Sequence, residues 1–136
     1  MQMLFMAHSG VRYLVLLAGI VALVYFAYAV ASKKGDARTA RIVGSAFTGL
    51  IDLQIVLGLL MVAFGLFYSA LIGHMFMMIA AAAVAHGSMR FGRSAPDVAR
   101  GNTIRLLGVA VSLALVVGGI MAIGRSVFGS GSPTLI

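Results

Sequence analysis

The chain has no cysteine, and only 10% of its 136 residues are charged. Without thiols there are no disulfides, no thiolate metal sites and no iron–sulfur clusters. A soluble domain carries roughly a quarter charged residues, so scarce charge argues against a water-facing exterior. Acid is scarcer still: three carboxylates stand against ten Lys and Arg, for a net charge of +7. In a soluble protein that imbalance points to nucleic acid. Here the basic residues are confined to short loops beside apolar runs, with no interleaved aromatic–basic pattern. They read as topology signals and contacts for anionic lipid headgroups, with no nucleic-acid partner.

What the chain has in abundance is apolar sequence, 62% of its residues, with a mean hydropathy of +1.10. Four apolar stretches stand out, at about residues 3–31, 42–67, 71–89 and 104–123. Each reaches about 19 residues, enough to cross roughly 30 Å of hydrocarbon at 1.5 Å per residue. Backbone groups in lipid must be satisfied within the segment or within a closed barrel. The strict alternation of barrel strands is absent, so the stretches read as helices. The first reads as a retained helix, because it lacks a basic leading segment and its core is longer than that of a signal peptide.

The connections are short. Residues 32–38 join the first two stretches, Tyr68-Ser69-Ala70 the next pair, and residues 91–103 the last, where Asn102 or Thr103 offers a helix cap. Short links predict an all-α integral membrane domain over residues 1–127, a four-helix up-down-up-down bundle. The tail, residues 128–136, is rich in Gly and Ser and reads as loosely ordered. Eight basic residues (Lys33, Lys34, Arg38, Arg41, Arg90, Arg93, Arg100 and Arg105) fall in or beside the first and third loops, against Arg12 and Arg125 on the other side. That bias places both termini in the periplasm of a bacterial inner membrane. Small-residue pairs at Ser45/Gly49, Gly108/Ser112 and Ala114/Gly118 permit close helix packing.

Ionisable groups at membrane depth are costly and mark a site. His8 opens the first helix and His74 opens the third, both on the outer side. Counting along each helix sets them at similar depth, with Arg12 one turn below His8. Imidazole is a common axial ligand of haem iron, so His8 and His74 are candidate ligands of one haem b on opposing helices. Arg12 and Arg125 are placed to offset its propionates. The plain alternative is a hydrated His8 and a His74 that caps a bend. The inner half holds Asp52 and Gln54, with His86 roughly 8 Å below the centre of the third helix. Asp52 is the one acid inside an apolar stretch, so it should be neutral or paired, with His86, Gln54 or Arg41 as partners. A structural pair, a second haem ligand at His86, a quinone contact and a proton-relay step are all consistent with this group. Met75, Met77 and Met78 near His74 read as packing.

The run His8-Ser9-Gly10-x-Arg12-x-Leu14-Val15-Leu16, then Gln54-x-x-x-Gly58-Leu59, His74 with Met78, and His86 resembles small four-helix bacterial membrane proteins described as cytochrome b-like. The similarity spans the first three helices. It implies a haem-binding, electron-transfer role with His8, His74 and His86 as the matching polar positions. The alternative is a haem-free accessory subunit of a larger respiratory or photosynthetic membrane complex, or a homo-oligomer. Nothing in the sequence argues for catalysis by the chain alone: no nucleophile–base pair and no metal-ligand cluster stands out.

Overall fold

A computed structural model describes residues 1–124 and residue 127. All regular structure among them is helical: α1 (Gln2–Ser32), α2 (Ala37–Ala63), α3 (Ala70–Arg93) and α4 (Val98–Ala122). Each is long and apolar enough to cross a membrane. The tail at residues 128–136 and Arg125 lie outside the described residues.

Each helix boundary has a local cause. Lys33 enters the left-handed region at φ 56° and stops α1. The Tyr25 hydroxyl then pins the turn, donating to Asp36 O and accepting from Asp36 N, both at 3.3 Å. Asp36 caps α2 by accepting from the Thr39 N–H. These bonds favour the carboxylate and hold the Asp36 pKa below its ordinary value of 3.8. Helix α2 therefore starts five residues before the apolar stretch that announces it, since a cap and not hydropathy sets its start. Its end is also earlier than the apolar pattern suggests. Gly65, at φ 100°, turns the chain, and Leu66 N–H returns to Met61 O at 3.0 Å. The link to α3 is therefore residues 64–69, longer than the three residues expected. Helix α4 is capped by Asp97, whose side chain accepts from Arg100 N–H at 2.7 Å. The expected caps, Asn102 and Thr103, lie inside the helix: Asn102 is buried and Thr103 bonds back to Ala99 O.

Helix α3 packs most closely on α4, and α1 on α2; α1 also packs on α4, while α2 and α3 touch least. No Cα of α1 comes within 8 Å of α3, nor any of α2 within 8 Å of α4, so these pairs are diagonal. The close α3–α4 pairing comes from small residues. Ala81, Ala85, Ser88 and Gly92 on α3 face Gly101, Gly108 and Ser112 on α4, all buried. Ser112 Oγ donates to Ala81 O at 2.9 Å, and a Cβ on Gly108 would overlap the Ser88 side chain. The other half of the core is filled by size: Phe26, Phe47 and Val15 are enclosed there, and Gly19 leaves room for Leu113 and Phe47.

The three small-residue pairs thus have different fates. Gly108/Ser112 is an intrachain packing seam, and Gly118 makes room for Met77. Gly49 faces open space. The outside of the bundle is apolar on every helix, with Leu17, Val24, Ile42, Leu59, Ile72, Phe76 and Leu107 all exposed. Soluble monomers rarely expose contiguous apolar patches beyond a few hundred Å². This exterior suits hydrocarbon.

Candidate functional site

Two polar groups form along the bundle, at different levels. The first is built around His8 and His74, whose backbones belong to diagonal helices. Their ring centroids lie 6.5 Å apart at an interplanar angle of 71°. Each ring is seated by a glycine on a neighbouring helix. On the His8 side, a Cβ at Gly58 would lie 3.2 Å from His8 Cε1. Gln54, one turn before Gly58 on α2, donates from Nε2 to His8 O at 2.9 Å. The glutamine is buried, and its Oε1 has no hydrogen-bond partner among the described residues.

On the other side, His74 Nδ1 lies 2.8 Å from Gly119 O. A carbonyl oxygen only accepts, so Nδ1 carries the proton and donates. The lone pair of a neutral His74 is then on Nε2. A metal-bound histidine is normally held this way, through its other ring nitrogen, by a backbone carbonyl or carboxylate. A Cβ at Gly119 would lie 3.5 Å from His74 Nδ1 and 2.5 Å from Met78 Cε, so Gly119 gives room to both. Met77 and Met78 pack over Gly118 and Gly119.

Arg12 lies one turn from His8 and is only 7% exposed. Its Nη2 donates to the Tyr13 hydroxyl at 2.9 Å, with Cζ 4.7 Å from the Tyr13 ring centroid. A positive charge is thus held inside the bundle next to the histidine pair. Arg125, the other arginine expected near the histidines, falls outside the described residues.

The second group is Asp52 with His86. His86 Nε2 lies 2.9 and 3.0 Å from the two carboxylate oxygens of Asp52, linking α3 to α2. Both side chains are 52% exposed, so the pair sits on the flank of the α2–α3 seam and not in the core. Neither Arg41 nor Gln54 bonds Asp52. Asp52 and Gln54 are two positions apart on a helix, about 200° around the axis, and they leave on opposite sides. Gln54 belongs to the histidine pair. His74 and His86 are twelve positions apart on α3, about 18 Å, and share no site.

The sequence pointed to the histidines but not to Gly119, whose carbonyl sets the His74 tautomer. The Gly118-Gly119 doublet inside an apolar helix was the available signal. Among the described residues no group of three or more metal-ligating side chains converges. A metal held here would rest on the two imidazoles and on donors of its own cofactor. No protein-family model matches the chain, and neither a curated protein nor a solved structure does.

The Asp52–His86 pair yields a graded expectation. Asp52→Leu removes the acceptor and should cost about 1 kcal/mol of stability in detergent, the scale of an interhelical hydrogen bond. Asp52→Asn, which keeps an acceptor, should cost less. Thermal unfolding of the two variants checks the order. Equal stability of Asp52→Leu and the parent protein would mean that the pair does not bind α2 to α3.

Proposed function

We propose that this chain is a multi-pass protein of the bacterial inner membrane that carries electrons through one non-covalent haem b held by His8 and His74. The observation that carries the reading is the His74 ring, fixed by Gly119 O with Nε2 left as the lone-pair nitrogen, beside a second imidazole from the diagonal helix at a centroid separation of 6.5 Å. Two imidazoles bound through one nitrogen each to a single metal ion, with bonds of about 2 Å, have ring centres roughly 6 Å apart. The 6.5 Å separation fits that donor set. The absence of cysteine fits a haem without thioether links.

Haem supplies reversible one-electron transfer when bound. The chain's own residues do the rest. Gly119 O keeps His74 in one tautomer and orients its ring. Gly58 and Gln54 seat the first turns of α1, and so His8, against α2. Arg12 sets a positive charge one turn from His8, where it offsets carboxylate groups on a bound ligand. The apolar helices exclude water, which strengthens each of these interactions.

The same reading orients the chain. Up-down-up-down helices bring the starts of α1 and α3 to one side, as the His8–His74 contact requires, and the basic loops put that side in the periplasm. A periplasmic reporter fused after Ile136 should be active, and a cytoplasmic reporter at the same place silent; the reverse result contradicts the orientation. Purified protein should release one haem b per chain on acid–acetone extraction. Two haems per chain would require His86 as a ligand, and none would leave the pair as a packing contact.

A second reading is favoured by the flank. An ionisable pair exposed at membrane depth is costly against lipid chains. Asp52 and His86 therefore suit a surface covered by a partner, as in a subunit of a larger membrane complex. This reading is compatible with haem; a haem-free accessory subunit is its limiting case. A haem-containing assembly larger than one chain in mild detergent is the expected result.

A further inference from the structure

The three acids in the sequence are Asp36, Asp52 and Asp97, and each is engaged. Asp36 and Asp97 cap α2 and α4, and Asp52 bonds His86. Among the described residues no carboxylate lies within ion-pair distance of Arg41, Arg93 or Arg105. Three arginines nonetheless share one cavity. Arg41 on α2, Arg93 on α3 and Arg105 on α4 line an open pocket of about 280 Å³, together with Ser45, Thr48 and His86. Arg105 is delivered there by a missing side chain: a Cβ on Gly92 would lie 2.7 Å from its Cγ and 2.8 Å from its Nε. The wall on the α2 side is kept low by Ala37, Ala40 and Gly44.

Position identifies the ligand class. Arg41 lies about nine residues before the middle of α2 and Arg93 about eleven after the middle of α3. At 1.5 Å per residue both are roughly 14–17 Å from mid-helix, where a hydrocarbon core of roughly 30 Å ends. The cavity lies between α2 and α3, the pair that packs least. Its volume falls just below the roughly 300–1,000 Å³ of sites that enclose a whole drug-sized ligand. It suits a headgroup whose chains stay outside. Guanidinium groups match phosphate oxygens in both charge and fork geometry.

We propose that this cavity seats the phosphate of an anionic membrane phospholipid. The lipid bridges helices that hold each other weakly and supplies the counter-charge that the sequence lacks. The inference rests on membrane insertion alone and is independent of haem. If the protein proves monodisperse in buffer without detergent, membrane insertion itself fails, and that outcome is separate from the binding result.

The test is native mass spectrometry of the detergent-solubilised full chain with equal phosphatidylglycerol and phosphatidylcholine. One phosphatidylglycerol should be retained, with a preference of about tenfold or more over phosphatidylcholine. Arg41→Gln/Arg93→Gln/Arg105→Gln should bring that preference close to one, while Lys33→Gln/Lys34→Gln, outside the cavity, should leave it in place. Arg41→Gln alone, at an exposed position, carries the same sign of effect if the triple variant does not fold. Inorganic phosphate at millimolar concentration should not displace the lipid. Equal losses in the lysine and arginine variants would reveal diffuse attraction to a basic face and overturn the proposal. So would undiminished preference in the arginine variants, or displacement by phosphate, which would make a soluble phosphate the ligand.

Discussion

Alanine in place of His74 is expected to abolish the reduced b-type absorption bands while the protein still inserts and remains helical. His8→Ala should do the same, since one iron needs both imidazoles for the low-spin spectrum of a bis-histidine haem. His86→Ala should leave the bands intact, because His86 lies about 18 Å along α3 from His74 and is turned toward Asp52. A subtler variant separates ligation from seating. Gly58→Leu removes no ligand but fills the space beside His8 Cε1, where even a Cβ would stand 3.2 Å away. It should lower haem content while circular dichroism remains that of a helical bundle. Haem bands that survive in both His8→Ala and His74→Ala would locate the iron elsewhere.

The largest stability effect is expected at Gly108. The α3–α4 backbones approach because Gly108 meets Ser88 with no side chain between them. Gly108→Val forces α3 and α4 apart and breaks the Ser112-to-Ala81 hydrogen bond one turn away. The cost should be about 3 kcal/mol, the upper part of the range for overpacking a closed core. Gly49 and Gly73 provide the contrast, since neither has an atom within 4 Å of an added Cβ. Gly49→Ala and Gly73→Ala should be neutral or gain up to about 1 kcal/mol from helix propensity. Thermal unfolding in detergent measures all three. A Gly108→Val protein as stable as the Gly49→Ala protein would mean that the α3–α4 seam does not hold the bundle together.

The number of helices was legible because hydropathy reports which segments suit lipid. Their ends were less so, because hydrogen bonding sets them. Residues 37–41 and 98–103 lie outside the apolar stretches yet are helical, started by the Asp36 and Asp97 caps. The similar depth of His8 and His74 followed from counting 1.5 Å per residue, and the structure brings the two rings together. Asp52 had three candidate partners in the sequence, and geometry selects His86. The direction of Gln54 was not legible. It shares a depth with Asp52, but which side of α2 faces α1 depends on packing, and an all-round apolar helix carries no periodic signal for it. Gly119 was hidden for a related reason: glycine is common in membrane helices, and only the contact with His74 separates a seat from a spacer.

Whether His8 and His74 hold haem is decided by a reduced-minus-oxidised difference spectrum. The protein should be purified in mild detergent, with its native partners, from a haem-sufficient host. The sharp reduced bands of a low-spin b-type haem are expected at one per chain, absent in the His74→Ala protein prepared alongside. A folded, partner-bound preparation with no such bands would contradict it, and the chain would then be a haem-free subunit whose two imidazoles pack edge to face.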